Sequence, residues 1–145
     1  MKLSTRGRYS SRLLLDLAFH RGQGPISLKD IARRQQIPLP YLKHLIAPLI
    51  SGGIVRSARG AGGGISLLKS PEEIKLKEVI RLLEGPISPV ECVDDPGICE
   101  RSSTCATRDI WVEMQKAMEG VLEATTLKDL MERQREKESP IIADV

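Results

Sequence analysis

Aromatic residues are nearly missing: one Trp, two Tyr and one Phe make up 3% of the 145 residues. A core must therefore be built mainly from Leu, Ile, Val and Ala. Histidine is as scarce, with only His20 and His44. No Ser/His/Asp or Cys/His arrangement is defensible from these two, so an enzyme is not expected. No apolar run approaches the ~18 residues of a membrane-spanning helix. The start, Met1-Lys2-Leu3-Ser4-Thr5-Arg6, has neither an apolar signal core nor a cleavage site, which makes the cytoplasm the expected compartment. The three cysteines form no C-x2-4-C pair. That argues against a disulfide framework and against a four-ligand structural zinc site. Neither G-x-G-x-x-G nor a Walker lysine occurs at the glycine-rich stretch, so a nucleotide-cradling loop is not expected there.

What is present is unevenly placed. Residues 1–60 carry eleven Lys/Arg against two acids, a net of +9, and residues 61–145 carry eleven against seventeen, a net of −6. A basic first half fits a polyanionic partner. The length suits one domain, or a small domain with an appendage.

Residues 28–68 organise the chain. They read as helix, tight turn, helix and then a β-hairpin with the tip Arg59-Gly60-Ala61-Gly62-Gly63-Gly64. That order outlines a winged helix-turn-helix, which lays one helix in the major groove of DNA and a loop against the backbone or minor groove. Glycines let the tip pass close to the sugar-phosphate wall. An arginine beside them, Arg56 or Arg59, can enter a narrow minor groove.

Around this unit the periodicity predicts further helices. Residues 5–20 place Tyr9, Leu13 and Leu17 on one stripe, with Arg6, Arg8, Arg12 and Arg21 off it as candidate phosphate contacts. Ser27 and Asp30 read as a capping box for the second helix. The third helix should open near Pro40 and bury Leu42, Leu45, Ile46 and Leu49. Its opposite face then shows Tyr41, Lys43, His44 and Ala47 to base edges. Pro48 should bend or shorten its last turn. Strands are expected at 54–57 and 65–68, and a helix within 71–83. Residues 87–105 read as a long loop without periodicity. Residues 107–123 form an amphipathic helix with two apolar stripes. Ile110, Met114, Ala117 and Val121 make one, and Trp111, Met118 and Leu122 the other. A partner helix from a second copy would cover the surplus. Thr126 and Asp129 read as a capping box opening a last helix to about residue 135, before a frayed tail at 139–145.

The long loop holds all three cysteines, spaced C-x6-C-x5-C, with Glu91, Asp94, Asp95 and Glu100 among them. Thiolates select zinc, copper(I) or iron–sulfur iron. Three thiolates and one weaker ligand suit an iron–sulfur cluster better than structural zinc. Three unligated thiols acting as a redox switch are the alternative.

Six stretches together carry a resemblance. They are the start through Gly7-Arg8-Tyr9, Tyr41-Leu42, the wing tip, the three cysteines, the following Trp111, and Thr126-Leu127-Lys128-Asp129-Leu130. Through them almost the whole chain resembles the IscR family of iron–sulfur cluster regulators, whose winged-helix relatives include NsrR and CymR. The resemblance implies a homodimeric cytoplasmic transcription factor that binds a [2Fe–2S] cluster and controls genes of cluster assembly. The chain departs from it in three respects. Arg108 stands where IscR adds a histidine ligand, and Arg8 where NsrR-like relatives place an acid, so the fourth ligand is unassigned. Lys43 replaces a glutamate of the enterobacterial type, which removes a repulsion toward phosphate. Pro40 replaces a serine able to hydrogen-bond DNA.

The expected architecture is mostly α with a small β-hairpin wing. Residues 1–84 would be the DNA-binding domain, 85–106 the cluster-binding loop, 107–138 the dimerisation and C-terminal helices, and 139–145 a tail. The expected function is a homodimeric repressor of a pseudo-palindromic double-stranded operator, under iron–sulfur control. Its candidate DNA contacts are Tyr9, Pro40, Tyr41, Lys43, His44, Arg56, Ser57, Arg59 and Gly60. Its candidate cluster ligands are Cys92, Cys99 and Cys105. A cluster-free regulator sensing redox, nitric oxide or cysteine metabolism is the alternative reading, ahead of a small electron-carrying iron–sulfur protein.

Overall fold

A computed structural model of the chain describes residues 2–139. Helix α1 spans Thr5–Phe19, α2 Leu28–Gln35 and α3 Leu39–Ser51. The hairpin of β1, Val55–Ala58, and β2, Gly64–Leu67, follows. Helices α4, Leu76–Glu84, α5, Glu91–Asp94, α6, Ala106–Ala124, and α7, Leu127–Glu138, complete the described residues.

The core is aliphatic, as the lack of aromatics requires. Leu13, Leu14 and Leu17 of α1 meet Ile31 of α2, the Leu42, Leu45 and Leu49 face of α3, and Ile54, Val55 and Ile65 at the wing base. Val79 and Leu83 of α4 and Leu127 of α7 join the same cluster. Each fully buried Leu or Ile contributes roughly 2 kcal/mol through the area it removes from water. Helix α7 returns to α1, where Arg135 lies 5.4 Å from the Phe19 ring centre. Its capping box is complete: Asp129 N–H donates to Thr126 Oγ1 at 3.2 Å, and Thr126 N–H donates to the Asp129 carboxylate at 2.9 Å.

Several local expectations need correction. The first box forms by half. Asp30 N–H donates to Ser27 Oγ at 3.2 Å, whereas the Asp30 carboxylate turns to Arg33 at 3.5 Å. Pro40 is the second residue of α3, with Pro38 in the capping place. Pro48 does not shorten the helix, which continues to Ser51. The bond it forgoes is to the His44 carbonyl, on an exposed face where water can take its place. The strands are displaced by one residue from their expected bounds, pairing Val55 with Leu67 and Ala58 with Gly64. Ile26 adds an isolated bridge to Ile65 of β2 through two backbone bonds of 2.8 and 2.9 Å. The helix expected within 71–83 is a 3-10 turn at Pro71–Glu73 followed by α4. Residues 87–105 are not featureless. They hold α5 and a 3-10 turn at Pro96–Ile98, whose Asp95 side chain accepts from Gly97 N–H at 3.1 Å. Of the expected tail, residues 140–145 lie outside the described residues.

Candidate nucleic-acid interface and cysteine segment

The helix-turn-helix is locked by one buried carboxylate. Asp16 is 3% exposed, inside the apolar stripe of α1. Arg34 of α2 donates to it twice, Nε at 2.9 Å and Nη2 at 2.7 Å, and Gln35 Nε2 donates at 3.0 Å. Burial pushes the Asp16 carboxyl up. The hydrogen bonds from Arg34 and Gln35, with the charges of Arg34 and His20, outweigh burial and hold it below its ordinary value. A charge in the middle of an apolar stripe was the sequence signal for this lock. Arg12 is a second tie between the two helices. Its guanidinium donates to the Gln35 carbonyl and lies 5.5 Å from the Tyr9 ring centre. That engagement removes it from the freely extended phosphate contacts.

Helix α3 meets α1 through its aromatic. Tyr41 is half-buried, and its hydroxyl is 2.9 Å from Thr5 Oγ1. The Tyr9 and Tyr41 rings pack edge to face, 5.6 Å apart at 85°. The candidate contacts Tyr9 and Tyr41 are thus brought together, and Thr5 joins them unanticipated. Pro40, Lys43 and His44 are exposed on α3. Arg56, Ser57, Arg59 and Gly60 are exposed along the wing, where Arg56 Nε donates to Ser66 Oγ across the hairpin at 3.3 Å.

The wing glycines divide into two kinds. Gly60 has φ of 93° and open space around it, as a tip meant to approach another surface requires. Gly64 serves the fold instead: a Cβ there would lie 2.1 Å from the Ile26 carbonyl oxygen.

The cysteine segment is fastened to α6 at two points. Arg108 Nε donates to the Cys92 carbonyl at 3.1 Å. Gln115 Nε2 donates to the Ile87 carbonyl at 3.0 Å and to Asp94 at 3.2 Å. Cys92 lies on α5, Cys99 is exposed beyond the 3-10 turn, and Cys105 is the N-cap residue of α6. The Thr107 hydroxyl, 3.1 Å from Cys105 Sγ, lowers the Cys105 thiol first, and the Arg108 and Thr107 backbone N–H groups add to that. Burial and Asp109 oppose them. All three cysteines are free thiols. As donors they fit an iron–sulfur cluster in kind, being soft and sharing one segment. Among the described residues, however, no three His, Cys, Asp or Glu side chains converge on one metal position. Arg108 is bonded back to the segment and supplies no fourth ligand.

A helix-turn-helix followed by an arginine-tipped wing is the architecture of a DNA-binding transcriptional regulator. The family described as "Rrf2: Iron-dependent Transcriptional regulator" matches residues 3–133. The chain belongs to this family, whose members bind DNA and act as dimers. It is 46% identical to Protein rrf2 of Nitratidesulfovibrio vulgaris over 131 residues, 90% of this chain and 87% of that one. The fold matches the solved structure of CymR, the global cysteine regulator of B. subtilis. That match has a TM-score of 0.79 and 42% identity, covering 92% of this chain and 98% of that chain. It also matches T. potens IscR, with a TM-score of 0.78 and 38% identity over 95% of this chain and 91% of that chain. The winged-helix fold and regulator class expected from the sequence are thereby borne out. No helix among the described residues is long and apolar enough to cross a membrane.

Proposed function

We propose that this chain is a homodimeric cytoplasmic repressor whose hold on a pseudo-palindromic operator is set by a [2Fe–2S] cluster on Cys92, Cys99 and Cys105. The observation that carries this reading is the tie of the cysteine segment to α6, through the Cys105 N-cap and the Arg108 bond to the Cys92 carbonyl, on a helix whose outer apolar face has no partner among the described residues. Helix α6 has no buried residue, and Ile110, Met114 and Val121 are 51%, 37% and 66% exposed. Whatever the thiols hold therefore bears on the dimer helix, and through it on the distance between two copies of α3. When bound, the cluster would supply a cross-link between three points of the segment. The protein's own part is to present Lys43 and His44 to the major groove and Arg59 to the minor groove, and to bias two poses of unequal DNA affinity. The family's iron-dependent description supports this reading.

One observation favours a second reading. The thiols do not converge, and Arg108 ties the segment back on itself. A cluster-free regulator reading thiol chemistry or cysteine supply would need no more than this, and the likeness to the cysteine regulator CymR points the same way. Anaerobic reconstitution separates the two. Under the cluster reading the protein gains visible charge-transfer absorption, which Cys92→Ala, Cys99→Ala or Cys105→Ala abolishes. Colourless, iron-free protein after reconstitution assigns control to the thiols alone.

A further inference from the structure

Helix α1 begins without a cap of its own. Ser4 occupies the N-cap place in extended backbone, yet its side chain accepts no hydrogen bond from the helix. The carboxylate of Glu84, the last residue of α4, does that work from far along the chain. Glu84 Oε1 accepts from Ser4 N–H at 3.1 Å, from Gly7 N–H at 3.1 Å and from the Ser4 hydroxyl. Gly7 is the third residue of α1, so its N–H is one of the donors a helix start leaves without an internal partner. A negative group there also complements the helix dipole. Position 7 is kept bare for this contact, since a Cβ on Gly7 would lie 2.7 Å from Glu84 Oε1.

The turn held in this way reaches DNA-facing residues at once. It contains Thr5, whose hydroxyl meets Tyr41 of α3, and it leads directly into Arg8 and Tyr9. On its other side Glu84 is joined to the cysteine segment by a few residues. Gly85, with φ of 80°, turns the chain into Pro86 and Ile87, the residue whose carbonyl Gln115 of α6 holds. Glu84 also borders a groove of about 520 Å³ shared with Leu3, Ile80, Pro86, Met118 and Leu122. Glu84 is thus one of the residues at which the reading head borders α6 and the start of the cysteine segment.

We propose that Glu84 is a positioning residue for DNA recognition. It fixes the first turn of α1 against α3 from the end of α4 that leads into the cysteine segment. The inference rests on the family's DNA binding and on this geometry, and it does not depend on what the thiols hold.

The test uses the full-length, iron-free protein and a duplex that the wild type selects from a random-sequence pool. Glu84→Ala removes the carboxylate. Gly7→Ala expels it from the opposite side while adding the better helix former. Both variants are expected to lose about tenfold in affinity for the selected duplex, the scale of one lost helix cap. Both should speed amide hydrogen exchange in residues 5–9 and leave binding to unselected duplex unchanged. A cap with a purely structural role makes the opposite claim for Gly7→Ala, namely a helix at least as stable and undiminished selective binding. Wild-type selective binding by Gly7→Ala, or by a folded Glu84→Ala, overturns the proposal. Failure of the wild type to enrich any sequence would sink the DNA reading itself, and the proposal with it.

Discussion

Asp16 and Arg59 show how much two single residues can decide. The Asp16 carboxylate is withdrawn from water and satisfied by Arg34 and Gln35. Removing its charge with Asp16→Asn should cost about 2 kcal/mol at neutral pH, because the charge-assisted hydrogen bonds from Arg34 and Gln35 to this buried position are weakened or lost. The pH dependence follows from the direction of the shift. The folded carboxyl titrates below its unfolded value of about 4, so its contribution is complete above that value and is lost as pH falls through the lower, folded one. Denaturant melts should show the gap between wild type and variant near pH 7 and a much smaller gap near pH 3. A gap that does not change with pH would mean that the lock is not electrostatic. Arg59 acts outward instead. Arg59→Ala should weaken operator binding by about 1–3 kcal/mol in a titration at fixed salt, with no loss of thermal stability. The Asp16 lock was not read from the sequence, although an acid among Leu13, Leu14 and Leu17 is the signal that marks a paired group. The partner of Ser4 and Gly7 could not be read, because periodicity reports nothing about a contact between residues eighty positions apart.

At the scale of elements, the wing combines an exposed tip with a base that belongs to the fold. Gly60 and Gly64 look alike in sequence, yet of the two only Gly64 lies against the Ile26 backbone. Gly64→Ala should cost about 2 kcal/mol or more by forcing Ile26 from its bridge, whereas Gly60→Ala costs about 1 kcal/mol of backbone strain at the tip. Thermal melts of the two variants measure the difference, and equal losses would remove Ile26 from the account of the wing. The helical faces were legible because burial follows the 3.6-residue period, as Leu42, Leu45, Ile46 and Leu49 show. The effect of Pro48 was not, because it depends on whether water can reach one carbonyl. Nor was the order in residues 87–105, where Arg108 and Gln115 of α6 supply bonds that local sequence does not announce.

At the scale of the whole molecule, Met118, Val121 and Leu122 of α6 line a groove with Ile80 of α4, while Ile110, Met114 and Val121 keep exposed apolar surface. We propose that a second copy covers this surface, which nothing else among the described residues covers. Val121→Glu should convert the dimer to a monomer in sedimentation while keeping its helical circular dichroism, and a persisting dimer would move the interface elsewhere. The cationic half, the reading head and the aliphatic core were all visible in composition and spacing. The state of the three thiols was not, since spacing gives the kind of donor and not where the donors converge.

The most direct test joins both ends of the chain. Affinity for a selected operator should be measured for iron-loaded and iron-stripped wild type at one salt concentration, with Cys92→Ala alongside. Control through the cysteine segment predicts a difference of roughly 5- to 150-fold between the two forms, absent in the variant. Identical affinity, loaded or stripped, in wild type and variant alike would contradict it.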